Sequence, residues 1–176
     1  MRLKFSLLGA AFLAATGVGI VTLAEAAVAT ATFQVKLTIT PSCVVTAGAG
    51  SDIDLGAHAA SETNVTGTNS IKVNCSKTTP YNIGLAPSTG NAGTTAGAGN
   101  LAAVAGPNTD KVPYQLFSDA AFSTVWGNTA TSIAVGNGVA GIGDGTDQSY
   151  PVYVKAASVN FTPDSYADTV TVNVNF

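Results

Sequence analysis

Two stretches of strict period-two alternation, one near each end of the chain, constrain the fold most strongly. Residues 32–40 read TFQVKLTIT and residues 169–176 read TVTVNVNF. The apolar positions of the first stretch are Phe33, Val35, Leu37 and Ile39. Those of the second stretch are Val170, Val172, Val174 and Phe176. A period of two is typical of a half-buried β-strand and not of a helix, so both stretches are predicted to be strands.

The sequence between these two stretches also favours short strands over helices. Pro41 interrupts the first alternation, and a new strand is predicted from residue 42. Further strand candidates, each bounded by Gly, Pro, Asn or Asp, are residues 71–75, 81–85, 114–118, 132–135 and 149–156. Residues 86–108 are predicted to be a long loop with a weak strand near 101–105, and residues 136–147 a second loop. No helix is predicted beyond the first thirty residues, which indicates an antiparallel β-sandwich of immunoglobulin-like type.

The composition excludes several classes of function. Only 10% of the 176 residues are charged, whereas an ordinary globular domain carries about 25%. The formal net charge is -3, so the chain has no basic field for a phosphate backbone, and nucleic acid is not an expected partner. A hydrophobic fraction of 46% argues against intrinsic disorder, and the length suits one domain.

The first 26 residues have the three-part pattern of a secretory signal peptide. Arg2 and Lys4 precede an apolar run over residues 5–23, and Ala24-Glu25-Ala26 supplies small residues at a cleavage site. The alternative is a retained membrane anchor, but Gly, Ser and Thr dilute the run and no stop-transfer charges follow it. We expect cleavage after Ala26 and export of the remaining chain.

Export gives the two cysteines a specific meaning. Cys43 and Cys75 would both reach an oxidising compartment, which predicts a Cys43–Cys75 disulfide; two buried free thiols are the alternative. The chain-entropy estimate for such a loop is about 3.7 kcal/mol of stabilisation. A metal site is not expected, because His58 is the only histidine and no CxxC spacing is present.

Residues for catalysis or for binding a cofactor are not apparent. His58 lies among small residues without a GxSxG motif, and it is interpreted as a surface side chain. Asp52 and Asp54 alternate with apolar residues, as on a solvated strand face. Residues 143–147 read GDGTD and are interpreted as a polar turn, because they lack the spacing of a calcium-binding loop. The chain is therefore predicted not to be an enzyme, with no catalytic residue, cofactor or metal.

The two terminal alternations allow two interpretations. They could pair with each other inside one domain. Alternatively, the N-terminal strand could insert into a groove on the next molecule, with Pro41-Ser42 as the joint between strand and domain. Burial of four such side chains contributes roughly 6 to 12 kcal/mol before ordering costs. Head-to-tail insertion does not close on itself, so it would build a filament.

Several segments resemble the spore coat protein U domain family, which includes the pilin subunits of archaic chaperone-usher fimbriae. These segments are YQLFSD at 114–119, VWG at 125–127, YPVY at 150–153, PDSYADTVTV at 163–172 and the terminal Phe176. The resemblance also includes the N-terminal alternation with Cys43 just after it. One departure is Val154-Lys155-Ala156, where many relatives have a Gly-Arg pair, and it affects only a local turn.

The resemblance implies an all-β, incomplete immunoglobulin-like sandwich that a donor strand from another subunit completes. It divides the chain into a signal peptide at 1–26, a donor strand and joint at 27–41, and a pilin domain at 42–176. The implied donor residues are Phe33, Val35, Leu37 and Ile39. The implied groove edge and chaperone contact are Val170, Val172, Val174 and Phe176.

The implied partners are identical or related pilin subunits, a periplasmic chaperone and an outer-membrane usher. The expected function is that of a structural pilin that polymerises by donor-strand exchange into a surface fibre for adhesion and biofilm formation. The expected location is a fimbrium, reached through the periplasm. The alternatives are a tip adhesin, or a secreted spore-coat or matrix protein assembled without an usher.

Overall fold

The computed structural model describes residues 28–176, so the predicted signal peptide lies outside the described residues. The chain divides into two units, Met1–Thr38 and Ile39–Phe176. In the first unit, residues 28–38 form no helix or strand, and every one of them is exposed. Within residues 28–176, no helix has the length and apolar character that crossing a membrane requires.

The second unit consists of β-strands joined by turns and loops. The nine strands are β1 (Cys43–Thr46), β2 (Thr63–Cys75), β3 (Pro80–Pro87), β4 (Ala98–Ala103), β5 (Lys111–Phe117), β6 (Val139–Ile142), β7 (Gln148–Ser158), β8 (Tyr166–Ala167) and β9 (Val170–Asn175). Two single-turn 3-10 helices lie at Ala49–Ser51 and Thr89–Asn91. The prediction of an all-β chain is confirmed.

The strands form two antiparallel sheets. The six-stranded sheet has the order β1-β2-β7-β5-β4-β8, and the three-stranded sheet has the order β6-β3-β9. The long β2–β7 pair, from Thr63 opposite Ser158 to Val73 opposite Gln148, forms the centre of the larger sheet. In the smaller sheet, β3 lies in the middle, so β6 and β9 are its edges.

Apolar side chains from the strands and from Trp126 form one core. The largest fully buried side chains are Trp126, Tyr81, Ile83, Leu85, Leu116, Val73 and Cys75. The Trp126 indole Nε1–H donates a hydrogen bond of 2.9 Å to the carbonyl of Ile83, which satisfies its polar atom inside the core. A tryptophan outside the strands therefore ties the β5–β6 connection to the central strand of the smaller sheet.

The predicted disulfide is confirmed. Cys43 and Cys75 lie opposite each other on β1 and β2, with a Cα–Cα distance of 4.1 Å. Next to it, the Ser76 N–H donates to the Ser42 carbonyl at 2.9 Å, and the Ser42 N–H donates to the Ser76 hydroxyl at 3.0 Å. The covalent bond and the two hydrogen bonds attach the chain to the domain from Ser42 onward.

Most of the predicted strands are confirmed, with some changes of extent. The segments at 81–85, 114–118, 149–156 and 169–176 correspond to β3, β5, β7 and β9. The segment at 71–75 is the last part of a 13-residue strand, β2. The earlier part of β2 contains Gly67 and several polar residues, so the pattern of hydrophobicity does not identify it as a strand. The weak strand expected near 101–105 is β4, shifted toward the N-terminus.

Three local predictions differ from the structure of the single chain. Residues 32–40 form no strand within it, although their alternation predicts one. Residues 132–135 do not form a strand: the Thr131 N–H donates to the Ala134 carbonyl, and the bend leaves Ile133 95% exposed. Conversely, β6 lies inside the predicted loop at 136–147. Gly141, the one glycine of β6, permits close packing, since a Cβ there would clash with the ring of Tyr81 and with the Tyr150 hydroxyl. A glycine that indicated a loop is therefore required in a strand that contacts β3.

Candidate functional site

A groove of about 850 Å³ opens beside β9. Its floor consists of apolar core side chains from both sheets. These floor residues are Val65, Ile71, Leu85, Val112, Tyr114, Leu116, Val152 and Val154. Each of them is less than 9% exposed, although each also lines the groove. The groove is therefore a gap in the hydrophobic core and not a surface depression.

Strand β9 forms one wall of the groove. Among the described strands it pairs only with β3, where Val172 lies opposite Leu85 and Val170 opposite Pro87. Val170 and Val172 line the groove. Two of the four residues predicted to form the groove edge therefore line this groove. Val174 packs against the core further along β9, and Phe176 is 51% exposed.

The backbone of β9 presents hydrogen-bonding groups along its outer edge. The Leu85 N–H donates to the Gly127 carbonyl, and the Ile83 carbonyl accepts from Trp126 Nε1–H, so these groups of β3 point away from β9. Directly opposite residues in an antiparallel pair point either toward each other or away from each other. The backbone N–H and C=O groups of Val172 and Val174 therefore point away from β3, to the edge of β9 that no described strand covers.

A second wall is formed by residues 51–58, a largely irregular segment held against β2. The Asn69 side-chain amide donates to the carbonyls of Asp52 at 2.7 Å and of Gly50 at 3.3 Å. Gly67 provides the space for the wall, because a Cβ there would lie 2.7 Å from both Ile53 and Leu55. The sequence pattern did not indicate this wall, since nothing in it marks Asn69 and Gly67 as partners of residues 50–55.

The side chains of this wall alternate in exposure. Ile53 and Leu55 are half-buried and line the groove, whereas Asp52 and Asp54 are exposed. The prediction that the two aspartates occupy a solvated face is confirmed. The wall therefore has the alternation of a strand without belonging to a sheet.

A hydrogen-bonded cluster lies where the chain passes from the larger to the smaller sheet. Asp168 follows β8 and precedes β9, and its carboxylate accepts from the Tyr114 hydroxyl at 2.7 Å and from the Asn91 amide at 2.8 Å. Burial, followed by the hydrogen bond to Asp168, raises the pKa of Tyr114 well above its ordinary value of 10.0. Tyr114 therefore stays a neutral donor that helps to hold the start of β9. No local sequence signal connects these residues.

His58 lies in the irregular wall as an exposed side chain, as predicted. Its Nδ1 lies 2.8 Å from a Glu62 carboxylate oxygen and its Nε2 2.6 Å from the Leu55 carbonyl. Both partners are acceptors, so both ring nitrogens donate when the imidazole is protonated. The hydrogen bond to Glu62, and then the one to Leu55, raises the pKa of His58 above 6.5. The hydrogen bond from His58 lowers the pKa of Glu62.

The protonation of His58 is expected to depend on Glu62. In Glu62→Gln, the pKa of His58 should fall toward 6.5, which ¹H NMR titration of this single histidine measures. Because the folded-state pKa is raised, the stabilisation from His58 is complete below pH 6.5 and is lost as pH rises through the raised value. Asp52→Asn is the control, since Asp52 does not bond to His58. An unchanged titration in Glu62→Gln would contradict the assignment.

The segment at 143–147 forms the predicted polar turn. The Thr146 N–H and hydroxyl both donate to one carboxylate oxygen of Asp144, each at 2.8 Å. These hydrogen bonds lower the pKa of Asp144. Within residues 28–176, no three His, Cys, Asp or Glu side chains are grouped closely enough to hold a metal ion.

The described chain is thus a two-sheet antiparallel sandwich with a groove in its core beside β9. The chain is similar to one chain in the crystal structure of the CsuC-CsuE chaperone-tip adhesion subunit pre-assembly complex from archaic chaperone-usher Csu pili of Acinetobacter baumannii. The TM-score is 0.53 at 20% sequence identity. The match covers 79% of this chain but only 41% of that chain, and the likeness supports the fold.

The sequence also matches the Spore Coat Protein U domain family over residues 29–173. The chain therefore belongs to the Spore Coat Protein U domain family, as the resemblance of its segments predicts. Comparison with the curated proteins gives no match. The family match and the likeness in fold agree with each other.

Proposed function

We propose that this chain is a structural pilin subunit that polymerises by donor-strand exchange into a chaperone-usher surface fibre. The observation that carries the proposal is a groove in the core beside β9 that no described strand fills, while the same chain has an exposed segment with alternating apolar residues. The fibre serves adhesion and biofilm formation. The role is structural and not enzymatic, in keeping with the family and the fold.

The exposed alternating segment is the proposed donor. The proposed donor side chains Phe33, Val35, Leu37 and Ile39 are 81–88% exposed. Isolated exposed apolar residues are ordinary on protein surfaces, but four of them at alternate positions of one short segment are not. Such a segment is suited to burial in a partner molecule.

The groove beside β9 is the proposed acceptor. Residues 33–39 and residues 170–176 are both seven residues long, so as strands both extend over about 20 Å. A donor placed beside β9 would pair with the outward-pointing backbone groups of Val172 and Val174. It would also place its apolar side chains over the groove floor. We assign Val170, Val172, Val174 and Phe176 as the edge that receives the donor or the strand of a chaperone.

Burial and the open edge together explain why partners are needed. Four buried donor side chains contribute roughly 6 to 12 kcal/mol before ordering costs. An uncovered strand edge next to an apolar groove promotes aggregation. We therefore propose a periplasmic chaperone that covers the groove until an outer-membrane usher exchanges it for the donor segment of another subunit.

The joint between donor and domain is short. Ser42 is held by Ser76, so only Thr40 and Pro41 separate the last donor residue from the fixed part of the domain. Since each donor enters a different molecule, subunits add head to tail and form an open filament. The proposed organisation is export by a signal peptide at 1–26, a donor strand and joint at 27–41, and a pilin domain at 42–176, leading to a fimbrium at the cell surface.

Paired substitutions in the donor segment test this proposal. Leu37→Asn should lower fibre yield at least about thirtyfold, because an amide would replace a buried apolar side chain and lack partners in the groove. Thr38→Asn is the matched control on the opposite face and should leave the yield near wild type. Fibres sheared from cells that also produce the chaperone and usher are quantified by electron microscopy and immunoblotting. Equal yields from the two variants would contradict the donor assignment.

A further inference from the structure

The charged side chains around the groove are mostly of one sign. Its lining includes Asp52, Asp54, Asp164 and Asp168, together with His58, and contains no Lys or Arg among the described residues. Asp168 is used internally by Tyr114 and Asn91, and Asp164 accepts from the Asn108 amide. Asp52 and Asp54, exposed on the irregular wall, form no ion pair with any lysine of the described chain.

The donor segment has the complementary charge. Lys36 is the only charged residue in 28–41, and it lies at the middle of the alternation from Phe33 to Ile39. By the period of two it projects from the face opposite the four apolar donor side chains. In an occupied groove, those four side chains would point to the core and Lys36 would remain at the solvent surface.

The geometry of the wall determines what Lys36 would meet. A strand inserted between β9 and the irregular wall has its outward residues on the same surface as the outward residues of that wall. All four residues border the groove, but Ile53 and Leu55 are half-buried whereas Asp52 and Asp54 are exposed, so the two aspartates lie on the solvent side of its rim. Side chains on neighbouring strands have Cβ atoms about 4.5–5.5 Å apart when directly opposite. Lys36 lies at the centre of the donor segment, so it comes toward the middle of the irregular wall whether the donor runs parallel or antiparallel to β9.

From this geometry we propose that Lys36 of one subunit pairs with Asp52 and Asp54 of the next, and that this pairing selects the register of the donor strand. The inference rests on the proposed donor-strand function. A shift by one residue is already excluded, because it would turn the apolar side chains to solvent. A shift by two residues keeps apolar side chains inward, so burial discriminates poorly against it. Such a shift moves Lys36 by about 7 Å, which is also the spacing of Asp52 and Asp54 along an extended chain, so it takes Lys36 away from at least one of the two carboxylates.

Charge reversal tests the pairing in full-length subunits assembling into fibres. Lys36→Asp, or Asp52→Lys with Asp54→Lys, should slow assembly about fivefold at about 10 mM salt and scarcely at about 1 M salt. The chain that combines all three substitutions should recover most of the wild-type rate. Lys72→Asp is the matched control, because Lys72 is an exposed β2 residue that does not line the groove.

Cross-linking tests the register of the donor strand directly. A zero-length carbodiimide applied to wild-type fibres should join the Lys36 peptide to the Asp52–Asp54 peptide of another subunit, as detected by mass spectrometry. Wild-type fibres without this cross-link, together with reversal variants that assemble at the wild-type rate in low salt, would overturn the pairing and leave donor exchange intact. Fibre assembly that does not need residues 27–40 would instead overturn the proposed function and the pairing together.

Discussion

A chain that lacks residues 27–40 is expected to form no fibres and to keep its binding to the chaperone. The deletion removes all four donor side chains, Phe33, Val35, Leu37 and Ile39, but leaves the groove and β9 unchanged. Each subunit could then accept a strand but could not supply one, so polymerisation would stop at the first step. Electron microscopy of cells and size-exclusion chromatography of the periplasmic complex measure the two outcomes.

A replacement control separates donor sequence from chain length. A variant in which Gly and Ser replace residues 27–40 one for one should also be fibre-free, because a flexible polar segment has no apolar face to bury. A donor peptide of residues 30–41, added to the truncated subunit, should bind with one-to-one stoichiometry. Fibres from the truncated chain would show that polymerisation uses another surface.

A second large effect is expected when the donor is supplied in the same molecule. Residues 30–41, grafted after Phe176 through a flexible turn onto the truncated chain, should give a soluble monomer. The graft makes both the burial of the four apolar side chains and the hydrogen bonds of the added strand intramolecular, and together these oppose the cost of ordering the appended residues. A net gain of a few kcal/mol would raise the unfolding midpoint by about 10 °C, which differential scanning calorimetry measures.

The graft has an internal control. The same graft with Leu37→Asn in the appended copy should lose much of the gain in midpoint, while Thr38→Asn should retain it. The two substitutions add the same side chain on opposite faces of one strand. A grafted chain that still aggregates, or whose midpoint does not respond to either substitution, would count against the groove beside β9 as the acceptor.

The elements that the sequence predicts well are those whose pattern is local. The alternation in β9 and the segments of β3, β5 and β7, which combine tyrosine with aliphatic residues, can be recognised from the sequence, because each has apolar residues at alternate positions. The Cys43–Cys75 pairing is predictable because only two cysteines exist. In each of these cases the information lies within a few consecutive residues or in a simple count.

The elements that it misses depend on contacts between distant residues. Strand β6 contains Gly141, which suggests a loop, and only its contacts with Tyr81 and Tyr150 explain why a glycine is needed there. Ile133 and Val135 have a strand pattern, but no partner strand covers them and the chain bends there. The irregular wall exists because Asn69 and Gly67, on β2, bind and accommodate residues 50–55.

The same division applies to the molecule as a whole. Residue order alone determines an all-β chain with an apolar alternation at each end, since a period of two is a property of consecutive residues. Only the tertiary structure decides that β9 pairs with β3 on one side, that its other edge borders a gap in the core, and that Asp52 and Asp54 line that gap. Those features depend on which strands pair and pack across the two sheets, and no local sequence pattern specifies pairing between distant segments.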